Sequence, residues 1–288
     1  TLLALLLLAS LPVSALAAEW DIGKGDITVN AESGGQTVRQ GGGAAIPDSA
    51  PVITGTSKEN NVTINADSGQ TASVTLSGVN IDVRDKGKAA VSTTGEGNVS
   101  IELNGGSTLR SGYEHAGLEK NNGGSLTIAA EDKNGKLTAW GGQQGAGIGG
   151  GVDGKGEGIT VSGNAQLKVR GGNVHGDYGT GAGIGGGCYG DGNNITVSGD
   201  AKLKVQGGVK DKHYGAGAGI GNGGKYGNHG GPNGAEVEPD ICELNPSGTI
   251  EYYAPGSAMT GAPSKTVTNP TGDFVWDSGT VTTPATCT

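Results

Sequence analysis

The chain has 288 residues, among them 60 glycines and a single phenylalanine, and a formal net charge of -9. That composition excludes an ordinary globule with a bulky aromatic core, so whatever core exists is thin and aliphatic. The negative balance repels nucleic acid phosphate and anionic lipid, and neither is expected as a partner.

The first segment, Thr1-Leu2-Leu3-Ala4-Leu5-Leu6-Leu7-Leu8 through Ala15-Leu16-Ala17, is apolar and ends in a small-x-small site. It reads as a secretory signal peptide (residues 1–17) without its basic beginning, too short for a membrane anchor, so no membrane insertion is expected. The remainder is then extracellular, secreted or held at the cell surface. Residues 18–60 carry mixed strand signals such as Ile27-Thr28-Val29 and a proline-broken turn at Pro47 and Pro51. They are expected to form an N-terminal cap with the first strands.

From residue 61 the sequence becomes periodic. Gly145-Ala146-Gly147-Ile148-Gly149-Gly150-Gly151 recurs identically from Gly181 to Gly187, 36 residues on, and Gly217-Ala218-Gly219-Ile220-Gly221-Asn222-Gly223 follows after another 36. Between these blocks Ile159-Thr160-Val161-Ser162-Gly163 recurs at 195–199, and Leu167-Lys168-Val169 at 203–205. Each period thus holds three short alternating segments separated by turns, with no helical spacing. Looser copies precede them: Val99 to Leu103, Ser107 to Arg110 and His115 to Leu118 form one set, and Val74 to Leu76, Ile81 to Val83 and Ala89 to Val91 another.

The expected fold is all-β: a right-handed, single-stranded parallel β-helix (β-solenoid) with three sheets and about five to seven rungs over residues 61–234. Ile159, Val161, Leu167, Val169, Ala182 and Ile184 should face inward, with their copies stacked beneath. Residues 235–262 read as a C-terminal cap, and 263–288 as a Thr/Pro-rich tail or linker. Cys188 falls in a repeat turn. Cys242 and Cys287 lie near the end, and spacing alone leaves the pairing of the three open.

Val74-Thr75-Leu76-Ser77-Gly78-Val79-Asn80-Ile81, the Ala116-Gly117-Leu118 turn and the three GAGIG blocks give the chain a family resemblance. It resembles secreted bacterial carbohydrate-binding domain-containing β-helix proteins, whose fold is similar to that of pectate lyases. The resemblance implies non-catalytic binding of a polysaccharide or surface glycan.

In-register repeats turn outward residues into columns. Thr108, Thr138, Lys168 and Lys204 should form one column, and Arg110, Trp140, Arg170 and Gln206 the next. Guanidinium and ammonium groups suit carboxylates, and an indole face suits a sugar ring. The plainer reading is a solvated outer face. Tyr113, Tyr178 and Tyr214 lie in the loops before the GAGIG blocks, beside His115, His175 and His213, either as sugar platforms or as a loop-stabilising ladder. Asp153, Glu157, Asp191 and Asn193 in the following turns are oxygen donors of the kind that suit Ca²⁺, although the register also sets Lys155 against Asp191. No nucleophile elbow, metalloprotease motif or P-loop occurs. A surface spacer and a polysaccharide lyase using Lys168 or Arg170 as base are the competing expectations.

Overall fold

A computed structural model describes residues 17–173, 178–209, 215–225, 233–241 and 243–268. The segment read as a signal peptide, apart from Ala17, lies outside the described residues, as do Tyr214, His175, His213, Cys242 and Cys287. No helix of the described residues is long and apolar enough to cross a membrane.

The chain winds through three sheets in turn, as the three alternating segments per period require. The ITV sheet runs Glu19–Asp21, Val52–Thr54, Thr71–Ser77, Asn98–Asn104, Leu126–Ala130, Ile159–Gly163 and Ile195–Val197. The LKV sheet runs Thr56–Ser57, Asn80–Asp82, Gly106–Arg110, Lys136–Trp140, Gln166–Arg170, Lys202–Gln206 and Thr249–Tyr253. The GAGIG sheet runs Ile27–Glu32, Val62–Ala66, Val91–Thr94, Leu118–Lys120, Ile148–Gly149, Ile184–Gly185 and Ile220–Gly221. All neighbours along these rows are parallel, and the whole is a parallel β-helix.

β-branched and aliphatic residues alternate with polar ones in the strands, so one set of side chains faces the axis. Ile27, Val62, Val91, Leu118, Ile148, Ile184 and Ile220 form one inward column, each paired in register with the next and fully buried. Val74, Ile101, Ile128, Val161 and Val197 form another on the ITV sheet. The corner from the ITV to the LKV sheet repeats a left-handed glycine: Gly55, Gly78, Gly105, Gly163 and Gly199 have φ of 89°, 65°, 77°, 65° and 65°. A side chain is strained in that conformation, which accounts for the SG and NG endings of these strands.

The GAGIG sheet is closed on its far side by its own turns. Gly145 to Gly151 are all buried. After Gly149 the chain doubles back, Ala146 N donating to Gly150 O at 2.9 Å. The doubled-back turns of successive rungs are linked by Gly187 N to Gly154 O and Gly223 N to Gly190 O, at 3.1 and 3.0 Å. The glycine-rich face of this sheet is thus a backbone-on-backbone contact.

Within residues 18–60, expected as cap and first strands, Ile27–Glu32 and Val52–Thr54 belong to the parallel array, and the capping is done by Gly35–Gln40 and Ile46–Pro47, which add antiparallel. Thr249–Tyr253, in the expected C-terminal cap, continues the LKV sheet in parallel register with Lys202–Gln206. Lys265–Thr268, in the expected tail, pairs antiparallel with it. Reversing direction ends the repeat and covers a strand edge that would otherwise template further pairing.

Candidate functional site

The outer face of the LKV sheet carries the densest charge array. Because parallel strands pair without slippage, each outward position becomes a line of side chains parallel to the solenoid axis. One line runs Arg110, Trp140, Arg170, Gln206 and Tyr253, and the next Thr108, Thr138, Lys168, Lys204 and Glu251. A third, not foreseen, runs Lys136, Gln166, Lys202 and Thr249.

Trp140 lies between the two arginines of the neighbouring rungs. The guanidinium carbon of Arg110 is 4.2 Å from the centre of its ring, and that of Arg170 is 4.9 Å away. Such contacts hold a cation over the electron-rich ring face. The stack leaves Arg110 Nε, Trp140 Nε1 and Arg170 Nε buried without a protein hydrogen-bond partner. Burial, and secondarily the Arg110 charge, lower the Arg170 pKa from the usual arginine value. Arg110 reaches Asp82 at 3.4 Å, but that carboxylate is already gripped by Arg84 Nε at 2.8 Å and Nη2 at 2.9 Å. The hydrogen bond from Arg84 is the main cause of the lowered pKa of Asp82. The indole expected to stack on a sugar thus has guanidinium groups against it from both neighbouring strands.

The lysine lines border a shallow groove of about 310 Å³, floored by Leu137, Leu167 and Leu203 backbone and flanked by Lys136, Lys168 and Lys202. These three lysines make no ion pair in the described structure. Lys204 differs: its Nζ is 3.0 Å from Glu251 and 3.2 Å from the Tyr253 hydroxyl, and those hydrogen bonds raise its pKa. Four successive strands contribute to the groove, so it extends over roughly 14 Å at about 4.8 Å per strand.

Comparison with protein-family models, curated proteins and solved structures finds no match to this chain.

Tyr113 and Tyr178 are exposed at 45% and 49%. The Tyr113 hydroxyl accepts from Gln144 Nε2 at 2.8 Å, which ties its loop to the next rung. The expected stack of Tyr178 on Tyr214 falls outside the described residues. Tyr189, exposed at 40%, was not singled out by the repeat because it stands beside Cys188 in a turn. The oxygen donors considered for calcium are not brought together: among the described residues no three His, Cys, Asp or Glu side chains converge as a metal site. Asp191 and Asn193 present backbone oxygens to Gly156 N and Gly158 N, at 2.8 and 3.2 Å. Lys155 pairs with Glu157 of its own turn at 3.5 Å, where the register had suggested Asp191.

One buried polar cluster has no counterpart in the later repeats. Glu119, on the GAGIG sheet beside Gly149, accepts from Ala116 N at 3.0 Å and from Asn121 Nδ2 at 2.8 Å, and its Oε2 lies 2.8 Å from His115 Nδ1. The Glu119 hydrogen bond is the main cause of the raised pKa of His115. The sequence signal was a carboxylate at a position that is glycine in the later copies.

Proposed function

We propose that this protein is a non-catalytic binder of acidic polysaccharide, with the LKV face as its binding surface. The observation that carries the reading is the concentration of cations there, in a chain of net charge -9. Lys136, Lys168 and Lys202 border a groove and form no contact ion pair among the described residues, beside two arginines fixed on one indole. The carboxylates of this face, Asp82 and Glu251, stand on its outer strands and are paired with Arg84 and Lys204, so the strands between them present only cations.

A polymer lying along the axis would meet a cation on each of four successive strands, Arg110, Lys136, Lys168 and Lys202, at a spacing comparable to the advance of one sugar along an extended chain. Carboxylates would be taken by the lysines and by the outer nitrogens of Arg110 and Arg170. The family resemblance in the repeats supports the same reading, and the signal-peptide character of residues 1–17 supports a location outside the cell or at its surface.

The test is retention on immobilised polygalacturonate as a function of salt. Each exposed pair contributes up to about 1 kcal/mol, so single changes will be nearly silent. Changing Lys136, Lys168 and Lys202 together to Ser should abolish retention and leave the fold intact. Wild-type retention should fall as salt screens the charges. If the triple variant is retained like the wild type, or no polysaccharide is retained at all, the face is a solvated wall and a structural spacer becomes the better reading.

A further inference from the structure

A second polar site lies away from the LKV face, at the corner where the GAGIG sheet passes to the ITV sheet. The turn there lengthens from residues 121–125 in one rung to residues 150–158 in the next. At this step lies a pocket of about 570 Å³, lined by Lys120, Asn121 and Asn122 of the upper rung, Lys155 and Glu157 of the longer turn, and Asn194 of the rung beyond.

Lys120 is its unusual member. The residue is only 8% exposed, where lysine is almost always on the surface. Its Nζ donates to Asn122 O at 2.8 Å and makes no ion pair, so two of its three protons have no acceptor among the described residues. Asn122 is held firmly: its Nδ2 donates to Gly97 O and Ser125 O at 2.9 and 3.1 Å, and its Oδ1 accepts from Thr93 Oγ1 at 2.8 Å. Burial lowers the Lys120 pKa, and Glu157 opposes that shift. An unpaired buried ammonium is costly, and an incoming anion would relieve the cost.

The rest of the lining narrows the anion. Glu157 and Lys155 pair at 3.5 Å, with side chains 39% and 66% exposed. A carboxylate in the same pocket disfavours a dianion such as phosphate, but it is a good acceptor for hydroxyl groups. Asn194, held at a φ of 52°, makes no side-chain hydrogen bond among the described residues. The pocket therefore offers a cation for one negative charge and polar groups for neutral hydroxyls.

We propose that this pocket binds a single acidic sugar unit, Lys120 taking the carboxylate while Glu157 and Asn194 take ring hydroxyls. The site shares no residue with the LKV groove and needs neither that groove nor a polymer, so it stands or falls separately.

Calorimetric titration of the full chain with galacturonate, galactose and inorganic phosphate tests it. Galacturonate should bind, with galactose and phosphate at least about tenfold weaker, because losing a hydrogen bond to a charged group costs about that much or more. Lys120→Met should weaken galacturonate binding at least tenfold with the urea midpoint unchanged, and Lys24→Ser, at an exposed position outside both sites, should bind it like the wild type. Glu157→Gln, at an exposed position, should narrow the preference for galacturonate over phosphate whether or not the Lys120 variant folds. The proposal is overturned by absence of galacturonate binding, by equal binding of galactose or phosphate, by a folded Lys120→Met protein that binds unchanged, or by a Glu157→Gln protein whose preference does not move.

Discussion

A Cβ placed on Gly149 would stand 2.0 Å from the carbonyl oxygen of Gly185, and the same contact recurs one rung later between Gly185 and Gly221. The three glycines have φ of 130°, 132° and 131°, so both conformation and space require the missing side chain. Gly185→Ala should lower stability by at least about 2 kcal/mol, since strain and overpacking act together. A urea midpoint equal to wild type would show that the rungs can part at no cost.

The inward column at the same rung gives a second prediction. Ile184 is fully buried between Ile148 and Ile220. Ile184→Asp should place an unpaired charge in the axis and open the neighbouring rungs, whereas Ile184→Val should cost only about 1 kcal/mol. Hydrogen exchange at the Ile148 and Ile220 amides would report the difference. Unchanged protection in the Asp variant would contradict the inward assignment.

The His115 and Glu119 pair sets a pH window. Hydrogen bonding by Glu119 raises the His115 pKa from 6.5, so the stabilisation from the charged histidine is complete below about pH 6.5 and lost as pH rises through the raised value. Burial alone would raise the Glu119 pKa from 4.5, but the hydrogen bonds from His115 and Asn121 prevail and lower it, so its contribution is complete above about pH 4.5 and lost as pH falls through the lowered value. The turn should therefore be firmest between about pH 4.5 and 6.5. The protection of the Ala116 amide, whose acceptor is Glu119, relative to intrinsic exchange should be greatest there, and Glu119→Gln should flatten the profile. A His115 titration unmoved by that substitution would remove the pair as the cause.

Cys188 is fully buried, and burial pushes its thiol pKa up to about 11. In native protein at pH 8 it should resist alkylation and become reactive only on unfolding, since the thiolate is the nucleophile. Peptide-resolved mass spectrometry separates it from Cys242 and Cys287. Rapid native labelling of the Cys188 peptide would mean that the turns over the GAGIG sheet open readily.

Trp140 supplies a prediction distinct from simple sugar stacking. With Arg110 and Arg170 lying against it, Trp140→Ala should weaken retention on polygalacturonate and leave any neutral polysaccharide unaffected. Loss of both together would instead mean that the indole itself touches sugar.

The rungs were legible because stacking one strand on its copy forces identity at fixed spacing, as at Ile148, Ile184 and Ile220. So were the columns of the LKV face, which follow from strict register. The ends were less so: Thr249–Tyr253 lies in register with Lys202–Gln206, yet no GAGIG block follows it to mark the period. Nor do columns state what fills the space between side chains. The indole of Trp140 was read as open because the reach of two arginines across a strand spacing is a rotamer choice, not a pattern. Lys120 was not legible for a related reason, since its burial comes from a change in turn length between rungs, which no repeated residue marks.

The identical blocks at 145–151 and 181–187, set between ends of opposite strand direction, make the length of this molecule a matter of copy number. A duplication of one 36-residue unit would add a step of about 4.8 Å and disturb neither end, because each new strand meets the surface its predecessor already met. The same event would insert another Lys168 equivalent and another Arg170 equivalent into their lines. Reach and cationic valence would thus grow in one increment, without any residue having to change.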